Sequence, residues 1–95
     1  MTAWAHSLIR ISNYEVETLQ KRLAEIAARR ASAEMRLAVL DAEIEVEGER
    51  ARQDAEARLL FDAYQAGWKL RQGLALADLD ELNAEEAGAR DALGA

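Results

Sequence analysis

Residues 9–44 read IRISNYEVETLQKRLAEIAARRASAEMRLAVLDAEI, and this stretch decides the fold class because its apolar residues recur with a period of seven. Every seventh position from Ile9 to Ile44, and the position three residues after each, holds mostly aliphatic side chains. A heptad repeat of this length predicts a coiled coil with a left-handed supercoil. The predicted seam residues are Ile9, Val16, Leu19, Leu23, Ile26, Leu37, Leu40 and Ile44.

The predicted seam has two weak points. Arg30 occupies a position of the repeat that is otherwise apolar, where it can extend to solvent or pair across the interface. The segment Glu47-Gly48-Glu49 interrupts the apolar pattern, and beyond it the repeat loses its strict register. Glycine weakens a helix without ending it, so Gly48 is interpreted as a weak spot inside one helix.

Composition excludes several classes of protein. The 95 residues contain no proline, no cysteine and one histidine, and the net charge is −6. The absence of cysteine rules out disulfides and Cys-based metal sites, and a single histidine leaves no His pair for zinc. No catalytic, cofactor-binding or metal-binding residues are predicted, and the chain is not expected to be an enzyme. The acidic charge argues against nucleic acid as a partner, and no apolar run suggests membrane insertion.

We expect residues 1–95 to form one all-α domain, a long coiled-coil helical hairpin. Gly67 and Gly73 flank the best turn candidate. The first helix is predicted over about 3–66, the turn over about 67–73, and a short second helix over about 74–93.

A turn at Gly48 is the alternative, because it would divide the chain in half and let both helices bury one another. The later turn leaves the N-terminal half of the first helix with an uncovered apolar stripe. Such a stripe implies a partner helix, self-association, or further sequence beyond Ala95.

The aromatic side chains of Phe61, Tyr64 and Trp68 are the most informative outside the seam, because their spacing places them on one side of a helix. In one interpretation they pack on Leu74 and Leu79 of the returning helix. In the other they are exposed near the hairpin tip and bind a protein partner, since aromatic residues are enriched among interface hot spots.

Charge is unevenly distributed, with a basic first third and an acidic remainder. This gradient suits electrostatic docking of one end on a partner, although a solvated helix surface would look the same.

Two other functions stay open: a generic coiled-coil scaffold or tether that self-associates, and a nucleic-acid-binding helix. The second would use Arg22, Arg29, Arg30 and Arg36.

Three segments resemble the flagellar FliJ family, particularly its alphaproteobacterial branch. They are LIRISNYEVETLQKRLAEI at residues 8–26, DAYQAGWK at residues 62–69 and LNAEEAGARDAL at residues 82–93. The first is similar to the family's N-terminal helix. The second is similar to its Tyr-Gln-x-x-aromatic-basic segment before the hairpin turn, and the third to the opening of the returning helix.

The resemblance implies a component of the flagellar type III protein export apparatus, with roles in flagellum assembly, motility and chemotaxis. It implies a cytoplasmic location, peripheral to the inner membrane at the flagellar base. The implied partners are the export ATPase, the cytoplasmic domain of the export-gate membrane protein, and export chaperones. By position, the gate contact falls on Phe61, Tyr64 and Trp68. The ATPase-facing end falls around Leu8, Ile9, Arg10 and Val16.

One departure from the family concerns length. Family members are usually longer, with a second helix that returns along the whole first one. A chain that stops at Ala95 is compatible with a fragment or a truncated reading frame, and in either case the region around Ile9–Leu40 would lack its partner helix.

Overall fold

The computed structural model describes residues 2–94, which form two long helices. Helix α1 spans Ala3–Gln53 and helix α2 spans Ala55–Gly94. The helices pack along one another as a rod measuring 80 × 15 × 14 Å. This arrangement confirms the predicted all-α helical hairpin. Within residues 2–94, neither helix carries a stretch long and apolar enough to cross a membrane.

The turn consists of Asp54 alone, whose backbone is extended at φ −133° and ψ 122°. Its carboxylate accepts a hydrogen bond from the Glu56 N–H at 3.0 Å and caps the start of α2. The Arg58 side chain donates to the carbonyl oxygens of Ala51, at 3.1 Å, and Arg52, at 3.4 Å, near the end of α1. The two side chains thus satisfy backbone groups on both sides of the reversal.

The predicted turn over about 67–73 is therefore wrong, and so is the alternative at Gly48. Gly67 and Gly73 lie inside α2, and Gly48 lies inside α1. Glycine permits a break in a helix but does not stabilise one. Asp54 and Arg58 supply the hydrogen bonds that a sharp reversal needs. As a consequence, α1 is shorter than predicted and α2, with 40 residues, is not a short helix.

Cross-hairpin ion pairs establish an antiparallel heptad register. Arg29 lies 3.3 Å from Glu85, Arg36 lies 3.2 Å from Asp78, and Glu43 lies 3.5 Å from Arg71. Each successive pair is seven residues further along α1 and seven residues back along α2. A constant step of seven on both helices is the signature of coiled-coil packing.

Except for Ala51 beside the turn, the core of the hairpin follows the same period. On α1 the buried residues are Ile26, Ala33, Leu40 and Ala51, and on α2 they are Ala75, Leu82 and Ala89. The expectation that the repeat loses its register beyond Gly48 is wrong for α2. Two of the three buried α2 positions hold alanine, which also occurs on solvated faces and so hides the period in the sequence.

The first four turns of α1 extend beyond the end of α2. We call residues 3–17 the overhang. Its predicted seam residues Ile9 and Val16 are 46% and 41% exposed, whereas Leu19 and Leu23 are half-buried. The expectation that the whole region around Ile9–Leu40 lacks its partner helix is wrong, because α2 returns far enough to bury Ile26 and Leu40. The uncovered apolar stripe is confined to the overhang.

Candidate protein-docking surfaces

Trp68 belongs to the interface between the two helices. Its indole is half-buried, and the Nε1–H donates a hydrogen bond to the Leu40 carbonyl oxygen at 2.6 Å. Leu40 lies on α1 and is itself buried. Trp68 therefore joins α2 to α1, and this contact leaves little of its side-chain surface accessible to a partner.

Phe61 and Tyr64 form a half-buried aromatic pair near the turn. Their ring centroids are 6.3 Å apart, with 20° between the ring planes. The Arg71 guanidinium lies 6.0 Å from the Tyr64 ring centroid, a cation–π distance. A Cβ built on Gly48 would lie 3.7 Å from Phe61 Cζ, so Phe61 packs on α1.

These contacts correct one interpretation of the aromatic residues. They do not pack on Leu74 and Leu79 of a returning helix, because all five side chains lie on α2. Their partners are Gly48 and Leu40 of α1 instead. Leu74 is 62% exposed and available for other contacts.

An apolar groove runs along one side of the hairpin between α1 and α2. We call it the flank groove and define it by Met35, Val39, Leu40, Leu74 and Ala75. Its cavity volume is about 370 Å³. The exposed fractions of Met35, Val39 and Leu74 are 67%, 47% and 62%. Such a groove can accept an apolar helix face from another protein.

The flank groove is bordered by charged residues that already pair with one another. Arg36 and Asp78 close one end, and Glu43 and Arg71 lie beside the other. Towards the turn a second depression continues the same side, lined by Val39, Ala42, Glu43, Val46, Glu47, Tyr64 and Arg71. Tyr64 is thus the predicted contact residue that reaches this surface.

The flank groove was not predicted from the sequence. Met35, Val39 and Val46 fall outside the seam positions, where isolated apolar residues are common. Their recurrence at spacings of four and seven on one side of α1 was a signal that could have indicated a second apolar face. Leu74 lies on α2, and only the register between the two helices brings it next to these α1 residues.

Arg30 is accommodated in the seam by an ion pair. Its Nη1 lies 2.9 Å from a Glu86 carboxylate oxygen, and both side chains are about three-quarters buried. The hydrogen bond from Arg30 holds the pKa of Glu86 below its usual value, with smaller contributions from the Arg30 and Arg90 charges. The buried Nε and Nη2 atoms of Arg30 have no hydrogen-bond partner in the described hairpin.

The arginines of the nucleic-acid alternative all face acidic residues. Arg22 lies 4.0 Å and Arg29 lies 3.3 Å from Glu85, and Arg36 lies 3.2 Å from Asp78. Together with the Arg30–Glu86 pair, these contacts neutralise much of the basic surface. They disfavour the phosphate-binding alternative, which needs uncompensated positive charge.

The overhang presents another large apolar surface. Its exposed large apolar side chains, each at least 41% exposed, are Trp4, Leu8, Ile9, Ile11, Tyr14 and Val16. They include the positions at which the resemblance implied an ATPase-facing end. Among residues 2–94, no cluster of three His, Cys, Asp or Glu side chains could hold a metal ion.

Two curated proteins from two strains of Caulobacter vibrioides, both named "Flagellar FliJ protein", are similar to this chain. Each is 56% identical over 93 residues, which cover 98% of this chain and 67% of the relative. No protein-family model matches the sequence, and no solved structure matches it significantly.

Proposed function

Because this chain belongs to the flagellar FliJ family, we propose that it is a non-enzymatic component of the flagellar type III protein export apparatus. It acts as a coiled-coil stalk that binds the export ATPase at one end and the export gate nearer the other. The observation that carries this proposal is a rod 80 Å long with two separate exposed apolar surfaces.

The two surfaces are far enough apart to engage two partners at once. Ile9 of the overhang and Val39 of the flank groove lie on the same helix, and thirty residues of α-helix span about 45 Å. The heptad seam between them makes the connection stiff, since both helices bury their apolar residues against one another. A stiff connection can transmit force or rotation from one partner to the other.

The flank groove and Tyr64 form the gate contact in this proposal. Met35, Val39 and Leu74 can be covered by a partner without unpacking the hairpin, because they make up an existing groove. Covering Trp68 would require breaking its hydrogen bond to Leu40. We therefore assign the gate contact to the flank groove instead of to the three aromatic residues. Tyr64 remains part of the contact, because it lines the depression that continues the groove.

The overhang forms the ATPase contact. Leu8, Ile9 and Val16 are exposed on the same end of α1, and Arg10 adds a positive charge between them. Export chaperones are further candidate partners at the family level. The protein would act in the cytoplasm at the flagellar base, because both main partners present cytoplasmic domains there.

Reciprocal variants test the two contacts. Met35→Asp with Leu74→Asp should weaken binding to the purified cytoplasmic domain of the gate at least about 10-fold, the effect of losing a hot spot, and should leave ATPase binding unchanged. Leu8→Asp with Val16→Asp should do the reverse. Both pairs are exposed, so circular dichroism should show unchanged helix content.

Titration calorimetry measures both affinities, and swimming in soft agar measures the consequence for motility. If the groove variant binds the gate as tightly as the original chain, the gate assignment is wrong. If the original chain binds neither the ATPase nor the gate, the stalk function is wrong and a scaffold function replaces it.

A further inference from the structure

The side of α2 that faces away from α1 near the turn is almost devoid of charge. We call this side the outer face; it consists of Leu59, Leu60, Ala63, Ala66, Gly67, Leu70 and Gly73, all of them exposed. The exposed fractions of Leu59, Leu60 and Leu70 are 82%, 70% and 67%. The solvent side of an amphipathic helix normally carries charged and polar residues, so this face departs from the pattern of a solvated surface.

The glycines of the outer face are not required by the hairpin. A Cβ built on Gly67 or Gly73 would meet no atom within 4 Å. Both glycines sit inside α2, where glycine is unfavourable relative to alanine. With Ala63 and Ala66, they create a strip without bulky side chains, flanked by leucines on both sides. A strip of this shape lets a second helix backbone approach closely.

Two charges border the outer face. Asp62 and Lys69 are the charged residues between Leu59 and Leu70, and they lie seven residues apart on the same edge of the face. Both are exposed, and neither takes part in an ion pair within residues 2–94. They have opposite signs, so the edge is complementary to itself when it is reversed.

We propose that the outer face binds the outer face of a second copy of this chain, with the two α2 helices antiparallel. A two-fold axis near Ala63–Gly67 sets the small residues of the copies against one another. It also places Leu59 and Leu60 of each copy beside Leu70 of the other. Self-complementary contacts of this kind are what a two-fold dimer requires.

The two charges at the edge favour a second copy of this chain over an unrelated helix, and an antiparallel over a parallel arrangement. In the antiparallel arrangement, Asp62 of each copy meets Lys69 of the other, which gives two ion pairs. A parallel two-fold pair would instead set this edge of each copy against the opposite edge of the other, which carries Leu60 and Gly67, so neither ion pair would form. A second copy of this chain always carries two opposite charges at the matching spacing of seven residues, whereas an unrelated helix does not in general.

The contact is short, so the dimer is reversible. About four turns of each α2 take part, which places the interface at the small end of specific protein contacts, below roughly 1,200 Å². Leu74 of the flank groove lies on α2 seven residues after Gly67 and therefore borders the outer face. The overhang lies at the other end of the rod, so the association leaves the proposed ATPase contact uncovered.

Sedimentation velocity of the full chain, between roughly 10 µM and 1 mM, tests the proposal in the range expected for a small interface. A monomer–dimer equilibrium is expected. Leu59→Glu with Leu60→Glu should raise the dimer dissociation constant at least about 100-fold, because it removes apolar contacts and adds four like charges across the interface. The matched control is Leu8→Glu with Ile11→Glu on the overhang, which should leave the dissociation constant unchanged.

Charge exchange tests the antiparallel direction. Asp62→Lys and Lys69→Asp should each weaken dimerisation about 10-fold, because each turns two attractive pairs into two repulsive ones. The double variant, Asp62→Lys with Lys69→Asp, should restore dimerisation. A mixture of the two single variants should form a heterodimer more tightly than either variant pairs with itself.

Three outcomes would overturn the proposal. The chain could remain monomeric up to 1 mM. The dimer could survive Leu59→Glu with Leu60→Glu, which would place the interface elsewhere. The mixture of single charge variants could pair no better than each alone, which would exclude the antiparallel contact. Circular dichroism of each variant verifies that the hairpin is still folded.

Discussion

Replacing Ile26 by alanine tests whether the heptad seam stabilises the hairpin in the observed register. Ile26 is 1% exposed and is the largest fully buried side chain of the described hairpin. The substitution removes three carbon atoms, at about 0.8 kcal/mol for each buried methylene. The unfilled space between the helices adds to this loss, so the expected decrease in unfolding free energy is about 3 kcal/mol.

Ile9→Ala is the matched control, because it makes the same chemical change at another predicted seam position of α1. Ile9 is 46% exposed on the overhang, where α2 does not cover it. The expected decrease there is below about 1 kcal/mol, since less apolar surface is lost from the folded state. The change in helix propensity from Ile to Ala is similar at both sites and cancels in the comparison.

Urea unfolding monitored by circular dichroism at 222 nm measures both variants. The unfolding midpoint should fall markedly for Ile26→Ala and little for Ile9→Ala, with the slope m unchanged in each. At about 4 °C or more per kcal/mol for a domain of this size, the thermal midpoint of Ile26→Ala should drop by about 12 °C or more. Equal destabilisation at the two sites would refute the reasoning, because it would mean that burial by α2 does not distinguish them.

Three further predictions concern the interior of α1, the turn and the ion pair in the seam. Gly48→Ala should raise the unfolding free energy by about 0.5–1 kcal/mol, because alanine is more favourable than glycine inside a helix. The added Cβ would lie 3.7 Å from Phe61, an ordinary van der Waals distance, so no clash offsets this gain. A lower thermal midpoint would contradict this prediction. Asp54→Ala should lower the unfolding free energy by about 1 kcal/mol by removing the cap of α2, and an unchanged urea midpoint would show that the cap is dispensable. Because Arg30 holds the pKa of folded Glu86 below its usual 4.5, the pair stabilises the fold above that pH and the contribution is lost as pH falls through the folded pKa. Thermal melts below pH 4.5 should therefore show a smaller acid-induced decrease in Glu86→Gln than in the original chain.

The structure changes how the aromatic residues near the turn should be tested. Trp68 donates to the backbone of α1, and Phe61 packs near Gly48. Substituting all three aromatic residues would damage the hairpin along with any partner contact. Variants of exposed groove residues such as Met35 and Leu74 separate binding from folding, because their side chains contribute less to the core.

The sequence alone determined that this protein is a helical coiled coil, and it located much of the core on α1. A seven-residue apolar period on a helix forms a continuous stripe whatever the partner is, so Ile26 and Leu40 could be identified before any partner helix was known. The same reasoning indicated an uncovered stripe at the N-terminal end. These features depend on local periodicity, which a single helix already contains.

Only the tertiary structure decided where the chain reverses and which side of α2 is covered. Asp54 makes the turn because its carboxylate and the Arg58 guanidinium satisfy the helix ends on either side, whereas the glycines offered no such hydrogen bonds. The role of Trp68 follows from the register that brings it to the Leu40 carbonyl. Register is a relation between two helices, set by ion pairs and seam contacts across the hairpin, and the pattern along either helix does not contain it.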